Sequence, residues 1–234
     1  MKHQFLIPFL FSLTFGAASA DLLGYWDFEN DFNDQSGNEN NGSPFGSTTL
    51  DTSAPAAAGS GSLNLVNADD SYLDINPGTG MQIEENTNFS ISIWFRSSTI
   101  QRDKRIFSEG STANGTPLYN IGTGAPGIGT NQIDFFRRTT EATTNNHELT
   151  VAEPFGDDSW HNVVVVDANG EVKIYVDGIL DLTTSYPKTG LSTNTTTFGG
   201  IKRDGPCCGF SGNLDDIGIW DTALNFVQIA AIQQ

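Results

Sequence analysis

Between Asp27 and Gly42 the chain gathers Asp27, Glu29, Asp31, Asp34, Asn38, Asn40 and Asn41 in a stretch that also holds Gly37. Hard oxygen donors on an adaptable loop suit Ca²⁺ better than a transition metal. The stretch lacks the D-x-[DN]-x-[DN]-G run and later Glu of an EF-hand. Asx side chains also close turns on their own backbone with no metal, so the segment reads two ways. The cysteines, Cys207 and Cys208, are adjacent. Consecutive Cα atoms lie about 3.8 Å apart, below the usual disulfide window of about 4.4–6.8 Å. A vicinal bond would therefore stiffen the 205–209 turn, with free thiols or an intermolecular bridge as the alternatives. C-x-x-C spacing is absent. Beyond residue 20 the histidines are His147, in the polar stretch Thr139–Glu148, and His161, beside Trp160. Neither has a Ser or Cys partner that would define a nucleophilic triad.

These groups need elements to position them. Residues 1–20 read as a signal peptide: a Lys2/His3 start, an apolar stretch Phe5–Phe15, and Ala18 and Ala20 as an A-x-A cleavage site. The stretch is too short for the roughly 20 helical residues that cross a membrane, and no second long apolar run follows, so no transmembrane anchor is expected. Residues 21–234 suit one large β-sandwich, since such domains run to about 200–250 residues as a unit. The net charge of −17, from 11 Lys and Arg against 28 Asp and Glu, excludes nucleic acid as a partner class. Phe89, Ile91, Ile93 and Phe95 alternate with Ser90, Ser92, Trp94 and Arg96, the period of a strand with one buried face. Val163–Val166 is a β-branched run, and Asn169-Gly170 and Asp177-Gly178 supply two hairpin turns toward Ile179–Thr183. Asn225 with Gln228, and Leu224 placed to pack on Ile229, predict a short C-terminal helix with a capping box and a hydrophobic staple. Its apolar face would comprise Phe226, Ile229, Ala230 and Ile232.

Five fragments in order carry a family resemblance: Gly24–Phe28, the loop Asp34–Gly42, Trp160-His161 before Val163, Tyr175–Gly178, and Gly212–Ile217 followed by Ile219-Trp220. They resemble the laminin-G-like branch of the concanavalin A-like jelly rolls, and the likeness spans nearly all of 21–234. It implies an all-β fold, an antiparallel two-sheet jelly-roll β-sandwich with a short C-terminal helix, that binds carbohydrate or protein surfaces. It implies a structural calcium held by Asp34, Asn38 and Asn40 together with Asp215 or Asp216. The turn Asn67–Ser71 departs from the family's F-D-G-like pattern.

The wider group includes glycoside hydrolases and polysaccharide lyases. Retaining hydrolysis needs two carboxylates about 5 Å apart on one strand face, and no E-x-D-x-x-E run occurs. A lyase could use a Tyr or His base with Arg or Asn neutralising a uronate. His161 reads as packing beside Trp160, and His147 as a solvated loop residue. Sugar contacts call for exposed aromatics and planar polar groups, for which the candidates are Tyr119, Phe136, Arg137, Arg138, Tyr186, Arg203 and Phe210. Arg102, Lys104 and Arg105 form a basic cluster that would face either an anionic glycan or solvent. The expectation is a secreted, calcium-stabilised, non-catalytic lectin-like module with a glycan or polysaccharide partner. The alternatives are a protein-binding adhesion component of an envelope or matrix and a divergent hydrolase or lyase.

Overall fold

The alternation at 89–96 sorts side chains to two sides of one strand, and the sandwich assembles around it. The computed structural model describes residues 20–53, 56–99, 101–112, 118–124, 131–138, 146–189, 191–203 and 205–234; the expected leader, apart from Ala20, lies outside these. The strands are β1 (Leu22–Trp26), β2 (Gly42–Phe45), β3 (Thr49–Asp51), β4 (Ser62–Leu65), β5 (Tyr72–Ile75), β6 (Asn88–Arg96), β7 (Arg105–Gly110) and β8 (Leu118–Thr123). They continue with β9 (Ile133–Arg138), β10 (Asn146–Leu149), β11 (Trp160–Ala168), β12 (Glu171–Val176), β13 (Ile179–Ser185), β14 (Thr195–Phe198) and β15 (Gly212–Trp220). Helix α1 (Phe226–Ile232) closes the chain.

One sheet runs β13-β12-β11-β6-β15-β4-β3, with β1 also on β15; the other runs β10-β9-β8-β7-β14-β5-β2. All these strand pairs are antiparallel. Phe89, Ile91, Ile93 and Phe95 enter the core between the sheets, where they join Leu73, Phe107, Ile121 and Phe198. Burying each such side chain contributes about 1.5–3 kcal/mol. Val163 and Val165 face the same core, whereas Val164 and Val166 pack with Trp220, Leu224 and Ile229 under α1. The valine run is unbroken because both faces of β11 are covered.

Both hairpins form as their residues predict. Asn169 and Gly170 have φ of 54° and 86°, and Asp177 and Gly178 of 50° and 76°, the double left-handed geometry of type I′ turns. Asn225 caps α1 through Val227 and Gln228 N–H while Gln228 accepts from Asn225 N–H. Leu224 and Ile229 are buried together. Phe226 and Ala230 depart from the expected apolar face: both are exposed, and only Ile229 and Ile232 pack toward the sheet.

The loop after β1 is clamped by one carboxylate. Asp34 Oδ1 accepts from Tyr25 N (2.9 Å) and Ser36 N (2.8 Å), and Oδ2 from Ser36 Oγ (2.8 Å) and Asn40 N (3.1 Å). Asn38 Nδ2 donates to Leu22 and Leu23 carbonyls, and Asn40 Nδ2 to Leu23. Trp26 Nε1 donates to the Asn40 carbonyl while its ring sits edge-on to Phe198 at 4.9 Å. In the same sheet as β1, on β11, His161 bridges Asp177 (Nδ1, 2.8 Å) and Asp157 (Nε2, 3.1 Å). Donation to both requires the imidazolium. The Asp177 hydrogen bond raises the His161 value above its ordinary range, against desolvation and with help from Asp157.

Two outcomes follow. Asp34→Ala should lower unfolding free energy by about 2 kcal/mol, through backbone N–H groups left without their acceptor, measured by urea denaturation; an unchanged midpoint would remove the clamp. For His161, a raised native value means its contribution is complete below about pH 6.5 and is lost as pH rises through that native value. The stability difference between wild type and His161→Gln should therefore shrink from pH 6 to pH 9, and a constant difference would contradict the ion pairs.

Candidate functional site

At the acidic end of the fold, β1 and β15 bring Tyr25, Asp215 and Asp216 together. Asp215 Oδ2 accepts from Ala57 N (2.8 Å) and Ala58 N (3.3 Å), and Oδ1 from Asp216 N (2.9 Å). A bulge in the β15–β6 pairing spans Asp215–Gly218, and Asp216 takes a left-handed φ of 42° there, which leaves its carboxylate accepting from the Tyr25 hydroxyl. Burial, then the Asp216 charge, pushes Asp215 up to about 8. Burial also raises Asp216, with Asp27 and Glu29 adding to it against the Tyr25 hydrogen bond. Among the described residues no Lys, Arg or His pairs with Asp27, Asp215 or Asp216.

The residues expected to hold calcium thus separate into two groups. Asp34 fits poorly as a ligand, since its four acceptor sites are spent on the loop and β1. Asn38 and Asn40 are oriented by donation to β1 carbonyls. Among the described residues no three His, Cys, Asp or Glu side chains form a group that could hold a metal ion. What remains at this end is the buried Asp215 beside the half-buried Asp216, a carboxylate pair of hard-oxygen character.

Three of the expected sugar contacts belong to the interior. Glu109, Tyr119 and Arg137 are register partners across β7, β8 and β9, and all three point inward. Tyr119 is 1% exposed. Arg137 bonds Glu84 at 3.0 Å with both side chains buried, and its guanidinium lies 3.9 Å above the Tyr186 ring. Tyr186 in turn donates to Asp167. Burial pushes Glu109 up to about 7, against the Ile83 and Glu84 N–H groups that it accepts. Phe210 is 0% exposed and packs on Phe155. Tyr119 and Phe210 are therefore core residues rather than sugar platforms, and Arg137 is committed to Glu84: the pleat places them inside. Tyr186 is half-buried within the same network.

The neighbours one position along those strands point out. On the outer face of the second sheet, Phe136 carries the guanidinium carbons of Arg105 and Arg138, each 5.6 Å from its ring centre. His147 lies 4.8 Å from Phe136 and bonds Asp134 at 2.7 Å; it is on β10, not in the solvated loop expected. The turn after β14 folds back over this face. Ile201 pairs with Cys207, Arg105 N donates to the Cys208 carbonyl, and Ile201, Cys207 and Cys208 pack on Leu118 and Phe136. Cys207 and Cys208 are joined to each other, and Arg203 reaches Cys207 Sγ at 2.8 Å. Further along, Lys202 bonds Asp74 at 2.6 Å and Phe45 stacks on Tyr72 at 4.6 Å with one face open, Phe45 being 43% exposed. Phe45, Asp74, Lys202 and Asn120 were not among the expected contacts. Phe45 had a signal, an isolated aromatic in Gly-Ser-Pro-Phe-Gly-Ser. A surface depression of about 460 Å³ lies elsewhere, beside Glu171, Lys173 and Thr183–Ser185. It has no aromatic lining and is a shallow groove between solvent-facing side chains.

Comparison with known proteins agrees with this architecture. Domain 4 of an extracellular arabinanase from Geobacillus stearothermophilus, solved with arabinotriose, aligns with a TM-score of 0.69 at 19% identity over 92% of this chain and 99% of that one. A structure of botulinum neurotoxin type C, whose cell entry depends on interaction with two ganglioside molecules, aligns at 0.67 and 20% identity over 91% of this chain and 51% of the other. The binding domain of botulinum neurotoxin DC, in complex with rat synaptotagmin II, aligns at 0.65 and 18% over 91% and 51%. The chain spans about half the length of these two toxin chains. At such identities the likeness is one of fold. No curated protein sequence matches the chain. Residues 67–230 match a laminin-G family described as the concanavalin A-like lectin/glucanases superfamily, and the chain belongs to that family.

Proposed function

We propose that the chain is an exported carbohydrate-binding domain that takes a glycan across the outer face of its second sheet, without cleaving it. One observation carries this reading: Phe45, stacked on Tyr72 and open on its other face, stands beside the Asp74–Lys202 pair on the same surface as Phe136. An aromatic face with flanking planar and charged hydrogen-bonding groups is the chemistry that recognises a sugar ring. Export is supported by the leader at residues 1–20 and by the extracellular arabinanase domain to which the fold is similar. Among the described residues no helix is long and apolar enough to cross a membrane.

Calcium enters this reading at the adjacent Asp215 and Asp216 alone, with main-chain and water oxygens completing its shell, since among the described residues no three carboxylates form a metal-holding group. These hard-oxygen groups have no basic partner among the described residues, and a bound Ca²⁺ would supply the missing positive charge and tie β1 to β15. Asp34, Asn38 and Asn40 support that end by holding the loop.

For the glycan, the purified domain is tested on an array in calcium and in EDTA, with bound polysaccharides assayed for breakdown. Binding without breakdown is expected, and Phe45→Ala should weaken it about tenfold. Binding to a protein partner with no glycan retained, or product release, would overturn the reading. For the metal, calcium at a hundredfold excess over Kd contributes about 2.7 kcal/mol, or about 5–10 °C in thermal midpoint for a domain of this size. That shift should vanish in Asp216→Asn and persist in Asn38→Ala; equal midpoints in calcium and EDTA would sink the metal.

A further inference from the structure

Three guanidinium groups converge on one face of a chain that has only 11 Lys and Arg and a net charge of −17. Arg105 and Arg138 flank Phe136 at 5.6 Å each, and Arg203 stands on the Cys207–Cys208 turn that packs against the same ring. Burial, then the charges of Arg203 and Arg105, lower the Arg138 value from its ordinary range, which is the electrostatic mark of like charges held close. Arg105 is fixed from behind by Asp103 at 2.6 Å and by the Lys104 carbonyl. Gly122, its register partner, admits this approach: a methyl there would overlap the Lys104 carbonyl oxygen. Arg138 and Arg203 remain half-exposed. Among the described residues no carboxylate pairs with Arg203.

A second, independent observation lies under this cluster. Asn120 is directly opposite Phe136 in the β8–β9 register and opposite Ser108 on β7, so it shares the outer face. It is 0% exposed, and among the described residues neither its Nδ2 nor its Oδ1 has a hydrogen-bond partner. A buried amide left without partners costs about 1–3 kcal/mol. Donor and acceptor side by side, beneath guanidinium groups, match a carboxylate or sulfate oxygen together with a hydroxyl. From β9 to β2 the face crosses five strand spacings, about 24 Å, which is room for an oligosaccharide.

We infer that this face selects an acidic saccharide, with Arg138 and Arg203 receiving a carboxylate or sulfate carried on the sugar and Phe45 stacking a ring further along the chain. The inference rests on the glycan-binding reading above and names its ligand class. Guanidinium forks bind such anions with charge-assisted, often bidentate hydrogen bonds. The surrounding acidic surface disfavours a polyanion as dense in charge as nucleic acid, whereas single charges spaced along a glycan reach the cluster one at a time.

The test is calorimetric titration of the intact domain with oligogalacturonate, a sulfated galactan oligomer and neutral arabinan oligomers. At least one acidic ligand is expected to bind about tenfold or more tightly than the neutral one, with affinity falling as salt rises. Preference for oligogalacturonate identifies a carboxylate and preference for the sulfated chain a sulfate; either supports the inference. Arg138→Gln with Arg203→Gln should erase the preference at a thermal midpoint no lower than that of wild type, and the Lys versions of both should restore part of it. Phe45→Ala should weaken acidic and neutral ligands alike. Equal affinity for acidic and neutral oligomers, or Gln variants that bind like wild type, would overturn the inference and leave glycan binding standing. Failure to bind any glycan would overturn both.

Discussion

The pleat of β8 and β9 decides what this domain can present. Successive side chains on a strand point to opposite faces, so Tyr119 enters the core while Asn120 faces out, and Arg137 enters while Phe136 and Arg138 face out. One face of the same two strands therefore builds a sealed polar knot with Glu84, Glu109 and Tyr186, and the other builds a basic and aromatic layer under the Cys207–Cys208 turn, from which Arg138 reaches solvent. A register slip of a single residue would exchange the two sets. The tight contact of β7 on Gly122 and the five register pairs that join β7 to β8 oppose such a slip.

This parity also separates what could be read from the sequence from what could not. The strand at 89–96, both type I′ hairpins and the capped helix are local: each is determined by period-two alternation, by Asn-Gly and Asp-Gly, or by Asn225 with Gln228. Their placement follows from residues within a few positions. Site residues are different. Tyr119 and Arg137 carry the right chemistry for a sugar contact, and nothing within their own segments shows that their strands cross the sheet with these residues inward. Phe210 looks like a loop aromatic beside a cysteine pair, yet the turn that follows β14 folds it under Phe155. Conversely, His147 sits in a polar stretch that reads as loop, and only its pairing with Phe136 on β9 reveals a strand.

The acidic end shows a competition for lone pairs. A loop rich in Asp and Asn can spend its oxygens on a cation or on its own N–H groups, and composition alone does not separate these uses. Asp34 resolves in favour of the backbone, because Tyr25, Ser36 and Asn40 each direct a donor at it. Asp215 and Asp216 resolve differently. They are adjacent on a central strand that is bulged so that both are partly withdrawn from water, and two neighbouring carboxylates there repel each other unless protonated or neutralised. The fold tolerates that repulsion at a point where β1, the 57–61 loop and β15 meet, so the charge balance at this junction governs how firmly the first strand is held.

Charge placement links the two ends. Acidic side chains spread over most of the surface give a field that repels anions at long range, screened within about 8–10 Å at ordinary ionic strength. Inside that distance the local arrangement rules. Arg105 and Arg138 on Phe136 and Arg203 on the adjoining turn, with Asp103 and Asp134 as near counter-charges, concentrate positive charge over a small area. A glycan with isolated charges can approach through the screened outer field and gain from this concentration, while a neutral glycan gains only from stacking and hydroxyl contacts. The same cluster would cost stability if it were merely structural, since like charges held together on a half-buried surface oppose folding. Arg105, Arg138 and Arg203 thus share one face, above an amide with no partner among the described residues, an arrangement that an anionic ligand would satisfy.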